Sequence, residues 1–158
     1  MAHAVPWNAG RAAEMIAVHA ATAGAMLPIL HDLQHEFGCV PEEATQLIAQ
    51  ALNLTRAEVH GVISFYHDFR RTPPGRHVLR LCRAEACQAM GGAALAARLL
   101  ARLGVEWGET TADGAWTVEP VYCLGLCACA PAALLDGAPI GRLDQDALNR
   151  TMTEMAGS

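Results

Sequence analysis

Cys82 and Cys87 bound the stretch Cys-Arg-Ala-Glu-Ala-Cys, and Cys123 and Cys127 bound Cys-Leu-Gly-Leu-Cys. The first pair has four residues between its thiols and the second has three, and 35 residues separate the pairs. That gap is long enough for a helix and a hairpin. Each pair follows a run with strand character, so neighbouring strand ends can present four thiolates from two converging loops. Four thiolates placed in this way can hold a metal.

The spacing narrows the choice of metal without closing it. Structural zinc sites with four cysteines usually draw on tight C-x2-C knuckles, and neither pair is that tight. Neither loop holds a histidine at ligand spacing, which argues against a zinc site of two cysteines and two histidines and against a Rieske centre. The clustered C-x2-C-x2-C run common in [4Fe-4S] sites is missing. Wide pairs suit a [2Fe-2S] rhomb, one pair to each iron, and spacing favours that over zinc by a modest margin only. Such a cluster with four thiolates is a dianion, and reduction adds a further negative charge. A potential of roughly −400 mV is then expected, with Arg80 and Arg83 as cations that would temper it if they face the site. Gly91, Gly92 and Gly125 offer backbone that can come close and aim N–H groups at sulfur. Disulfide exchange is the weaker chemistry here, because no C-x-x-C stands at a helix start.

Composition limits the setting. The chain has 158 residues, a hydrophobic fraction of 53% and a formal net charge of −5, and all eleven of its basic residues are arginine. That length suits one domain or a small domain with a helical appendage. No basic run is interleaved with aromatics, so a nucleic-acid partner is not expected. No stretch of about 18 apolar residues occurs, and neither a membrane span nor a secretory signal is expected. A cytoplasmic location follows as the expectation. There, thiols stay reduced, and six cysteines read as ligands, redox groups or core rather than as staples. No G-x-G-x-x-G occurs, so binding of NAD or flavin is expected on a partner.

The elements that must position the cysteines fall into two halves meeting at Thr72-Pro73-Pro74-Gly75, read as a plain linker. Residues 1–72 read as a small helical bundle. An alanine-rich helix near Arg11 to Ala25 precedes one opened by Pro28 and stopped at Gly38. A third starts at Pro41 with Glu42 and Glu43 in its first turn, and Thr55-Arg56-Ala57-Glu58 is a capping box for a fourth. Val59, Val62, Ile63 and Tyr66 share one face of that fourth helix. Residues 76–158 read as an α/β layer. A strand at His77–Leu81 delivers Cys82, and a helix spans Gly91–Leu103. Short strands are expected around Val105–Trp107 and Trp116–Val118, followed by a hairpin from Ala132 to Leu143. A last helix runs from about Asp144 to Met155.

These residues resemble a known family. Leu27-Pro28-Ile29-Leu30, Gln34, Gly38, Pro41, Ile48-Ala49 and Val59-His60-Gly61-Val62-Ile63-Ser64-Phe65-Tyr66 are similar to the N-terminal helical region of the 24-kDa-type subunit of respiratory complex I. The two cysteine pairs and the gap between them look like its thioredoxin-like [2Fe-2S] domain. The resemblance covers roughly Gly24 to Leu148. It implies a thioredoxin-like fold and one [2Fe-2S] cluster, with Cys82, Cys87, Cys123 and Cys127 on the ligand positions. It also implies docking against a flavin-bearing, NAD-binding subunit. The same module occurs in NAD-reducing hydrogenases and in molybdenum- or tungsten-dependent formate dehydrogenases. Cys82 to Gly91 and Tyr122 to Cys127 look most like the gamma subunit of the soluble formate dehydrogenases. The resemblance therefore implies an electron-transfer subunit, non-catalytic alone, beside a flavin subunit and a large molybdenum or tungsten Fe-S subunit. The equivalent subunit of an NAD-reducing hydrogenase or of respiratory complex I remains the alternative, and from a different class a structural zinc-binding interaction module.

Other residues read more plainly. Cys129 departs from the family pattern and is expected to be a small buried hydrophobe, with a substitute ligand as the sharper alternative. Cys39 reads as an ordinary thiol. The pairs His31/His35 and His60/His67 share helical faces but lack a matching carboxylate, and solvated or core-edge roles are expected. The Phe65-Tyr66-His67-Asp68-Phe69 end is expected to contribute to a partner interface.

Overall fold

The computed structural model describes residues 5–156. The described residues divide into two compact units, one up to Pro73 and one from Pro74 onward.

In the first unit, α1 (Ala9–His19), α2 (Met26–Phe37), α3 (Glu42–Leu52) and α4 (Arg56–Phe65) close around Ile16, Ile29, Leu30, Leu33, Ile48 and Val59. The stop and start signals act as their chemistry requires. Gly38 ends α2 at a φ of 74°, Pro41 caps α3, and Thr55 and Glu58 form the complete capping box of α4. The first helix begins before Arg11 and ends at His19, well short of Ala25, and Asn8 caps it by accepting from the Arg11 N–H. Pro28 falls inside the first turn of α2 rather than opening it, where its missing N–H leaves no helical bond unmade. Beyond α4, Gln34 clasps the chain by donating to the Asp68 carbonyl and accepting from the Arg70 N–H. Phe69 is thereby held in the core.

The second unit is a four-stranded sheet with the order β2-β1-β3-β4. Its strands are β1 (His77–Cys82), β2 (Trp116–Val121), β3 (Ala133–Leu135) and β4 (Ala138–Ile140). β1 and β2 run parallel, joined through α5 (Glu85–Ala89) and α6 (Gly92–Leu103), while β3 and β4 form an antiparallel hairpin against β1. Leu79, Leu81 and Val118 of the sheet bury against Leu95 and Leu99 of α6 and Leu148 and Met152 of α7 (Gln145–Ala156). Arg98 donates to Gln145 and Arg102 to Asn149, tying α6 to α7. Pro120 sits within β2, which is tolerated because β2 is an edge strand.

Two expectations need correction here. Val105–Trp107 is not a strand. Gly108 donates to the Val118 carbonyl and Glu109 accepts from the Glu106 N–H, which folds that segment into turns and leaves one bridge, Thr110 to Thr117. The five-residue α5 was not expected at all, and it is too short to show a helical period.

Candidate metal centre

β1 ends in Cys82, and the register sets Cys82 beside Val121, two residues before Cys123. The Cys82 N–H donates to the Ala132 carbonyl at 3.0 Å and the Arg83 N–H to the Val121 carbonyl at 2.8 Å. These two bonds hold three loops against one sheet end: the one carrying Cys87, the one carrying Cys123 and Cys127, and the run into β3. Cys87 rides on α5, and Cys127 opens a short 3-10 turn ending at Cys129.

The pairs lie at different depths. Cys82 and Cys87 are 7% and 2% exposed, in an apolar collar with Ala132, Val121, Leu124 and Leu126. Cys123 and Cys127 are exposed. Tyr122, immediately before Cys123, is 70% exposed. Gly92 passes so near the inner pair that a Cβ there would stand 2.6 Å from the Cys87 carbonyl oxygen. Cys123 takes a φ of 79°, a left-handed conformation costing a non-glycine residue about 1–3 kcal/mol.

The thiols act on one another. Burial pushes the Cys82 thiol up, but the Ala84 N–H, the Cys87 thiol and the N–H groups of Cys123 and Leu124 more than reverse this and hold its pKa below the ordinary value. Cys87 is pushed up by burial first, then by its hydrogen bond to Cys82 and by negative charge on Cys82 and Cys127, against an opposing Ala132 N–H. Cys127 is raised chiefly by its hydrogen bond and charge interaction with Cys123. Negative charge on one thiol of each pair opposes ionisation of its partner, a repulsion that a bound cation would relieve. Among the described residues, no group of three or more His, Cys, Asp or Glu stands close enough together to hold a metal ion. The thiols interact as Cys82 with Cys87 and Cys127 with Cys123, a pairing that suits a two-iron rhomb.

The donors aimed at Cys82 come from Ala84, Cys123 and Leu124, not from the glycines expected to supply them. Gly125 matters for its φ of 74°, with nothing within 4 Å of a Cβ built there, and Gly92 for its close approach. Arg80 pairs with Glu119 at 2.8 Å and Arg83 stands 5.0 Å over Trp107, so both cations have other partners. Cys129 is half-buried rather than fully enclosed. Cys39 is buried and its thiol is pushed up by that burial. Of the histidines, His31 packs edge-on against Phe69, and His67 lies beyond the end of α4 rather than on its face. Tyr66 and Phe65 are exposed.

With this geometry in place, the family model "Thioredoxin-like [2Fe-2S] ferredoxin" matches residues 12–156. The chain belongs to that family. The cofactor of the family is a [2Fe-2S] cluster, and the mixed α/β fold agrees with its thioredoxin-like description. The chain is 34% identical over 128 residues to a subunit of the NADH-quinone oxidoreductase of Pseudomonas aeruginosa, covering 81% of this chain and 77% of that protein. The corresponding NADH-quinone oxidoreductase subunit of Escherichia coli is 35% identical over 124 residues, covering 78% and 75%. A chain of an NAD+-reducing [NiFe]-hydrogenase in the H2-reduced state superposes with a TM-score of 0.71 at 31% identity, covering 87% of this chain. This chain spans only 23% of that hydrogenase chain, and 50% of the corresponding NADH-quinone oxidoreductase subunit of Mycobacterium tuberculosis. No helix among the described residues is long and apolar enough to cross a membrane.

Proposed function

We propose that Cys82, Cys87, Cys123 and Cys127 hold one [2Fe-2S] cluster, and that the chain is an electron-transfer subunit of a multi-subunit NAD-linked oxidoreductase. The observation that carries this reading is the gathering of the loops bearing the four thiols at one end of the sheet, one pair buried and one exposed. Bound there, the cluster would take up and return one electron at a time. Cys82 and Cys87 anchor it in the apolar collar, which keeps water from the inner sulfurs. Cys123 and Cys127 bring the other side to the surface, where a redox partner can approach. The exposed side chains of Tyr122 and Met90, which adjoin the two ligand loops in sequence, suit a face covered by a protein.

The partner in this reading is a flavin- and NAD-binding subunit. The names of the NADH-quinone oxidoreductase and hydrogenase relatives support an NAD-linked complex. Within that class we assign the chain to a formate dehydrogenase with a large molybdenum or tungsten Fe-S subunit, on the likeness of Cys82 to Gly91 and Tyr122 to Cys127. We place it in the cytoplasm, where the thiols stay reduced until metal arrives. The exposed Phe65 and Tyr66 contribute to the partner interface. Undiminished assembly after removal of residues 1–70 would overturn that last assignment.

The deciding experiment is EPR of the anaerobically purified chain before and after dithionite, with iron and sulfide assays. A signal that appears only on reduction, with a g-average below about 2 and about two irons per chain, supports the reading. A colourless, EPR-silent protein with stoichiometric zinc sinks it. The assignment to formate dehydrogenase fails if the complex purified through this chain reduces NAD+ with hydrogen and not with formate.

A further inference from the structure

Arg83 follows Cys82 and is exposed. Its backbone is fixed from both sides. The N–H donates to the Val121 carbonyl at 2.8 Å, and the carbonyl accepts from the Gln88 side-chain amide at 2.7 Å. The guanidinium lies 5.0 Å over the ring of Trp107. That ring is itself anchored, because Trp107 packs against the core of the second unit and the next residue, Gly108, donates to the Val118 carbonyl. Arg11, Arg56, Arg71 and Arg80 sit in ion pairs with carboxylates, and among the described residues Arg83 has none. Glu109, two residues beyond Trp107, has its carboxylate on the Glu106 N–H. An aromatic face fixes where an arginine points and leaves its charge in place.

The sheet end sets this cation beside other exposed side chains. Val121, which accepts from Arg83, is followed by Tyr122 and Cys123, both exposed, and Met90 is exposed just past α5. Arginine, tyrosine, tryptophan and methionine are the side chains that protein interfaces favour over the rest of a surface, and an arginine already held in place loses less freedom on pairing. We propose that Arg83, seated on Trp107, is a docking cation at the margin of the cysteine end, and that it pairs with a carboxylate on the surface of the flavin- and NAD-binding subunit. The inference rests on the reading of that subunit as the partner. A charge at the margin of a contact acts chiefly on the rate of encounter and on its response to salt. Trp107 is the positioning residue, acting through the guanidinium it holds.

The test measures association of the full-length, cluster-bearing chain with the flavin- and NAD-binding subunit of its own complex. Surface plasmon resonance reads the rate over a salt series from about 50 to about 300 mM. Arg83→Gln should associate about fivefold more slowly at the low end and show a flatter dependence on salt. Trp107→Leu keeps the charge but frees it, and should slow association less while retaining the wild-type salt slope. Arg150→Gln, on α7, changes the net charge by the same amount and should associate as wild type. An Arg83→Gln chain that keeps its iron and associates as wild type overturns the proposal. An equal slowing in Arg150→Gln also overturns it, by making net charge the cause. If Arg83→Gln loses its iron, Arg83→citrulline supplies a neutral side chain of the same shape; slower, salt-insensitive association supports the docking cation and a wild-type rate sinks it. A wild-type chain that bears its cluster and does not bind that subunit overturns the choice of partner, and this inference with it.

Discussion

Cys127 and Cys129 are two residues apart, yet the structure sets them in different surroundings. Cys127 interacts with Cys123 and Cys82. Cys129 lies against the backbone of Gly141, where a Cβ would stand 2.7 Å from its own, and its carbonyl accepts from the Arg142 N–H. Cys129→Ala should therefore leave iron content and the EPR spectrum as in wild type; altered g-values would restore the idea of a substitute ligand. Gly92 gives the opposite case. Its missing side chain makes room for the Cys87 carbonyl, so Gly92→Ala should cost about 1–3 kcal/mol through overpacking. The variant should also hold less than the wild-type iron, both readable from thermal unfolding and an iron assay. The meeting of the two cysteine-bearing loops at one sheet end could be read from the sequence because both pairs follow strand-like runs. The donors around them could not, because any residue has an N–H and nothing in Ala84, Leu124 or Ala132 marks where it points.

Among the elements, those with a chemical stop or start were the most legible. The Thr55–Glu58 box and Gly38 define ends of α4 and α2 as expected. The helix expected over Gly91–Leu103 and the hairpin expected between Ala132 and Leu143 are both present, as α6 and as β3 with β4. The Val105–Trp107 segment misled because two apolar residues flanking a polar one mimic a strand, while the Glu109 carboxylate and Gly108 fold it into turns. Thr55→Ala should cost about 1 kcal/mol, the usual loss for a helix cap. The Glu58 carboxyl is held below the ordinary carboxylate range by the Thr55 N–H first and then by its hydroxyl. A carboxyl depressed on folding lends stability above its unfolded pKa and loses it as pH falls through the folded one. The difference in urea midpoint between wild type and Glu58→Gln should accordingly shrink on going from pH 6 to pH 3. A constant difference would remove the carboxylate from the account.

At the scale of the whole molecule, the apolar core of the second unit and the cysteine collar are separate clusters. Leu79, Leu81, Leu99, Val118 and Leu148 belong to the first; Cys82, Cys87 and Ala132 belong to the second. The sheet therefore does not depend on metal for its burial. After iron is removed with a chelator and reductant, hydrogen exchange should quicken in residues 83–91 and 122–131, while β1, β2 and α6 stay protected. Loss of protection throughout the sheet would show that the fold needs its metal. The same division of depth sets an order of ageing. Peroxide or oxygen arriving from water meets Cys123 and Cys127 before it meets the pair beneath them. Damage then starts at the rim and works inward, and a chain oxidised at Cys123 and Cys127 still keeps the buried pair intact beneath them.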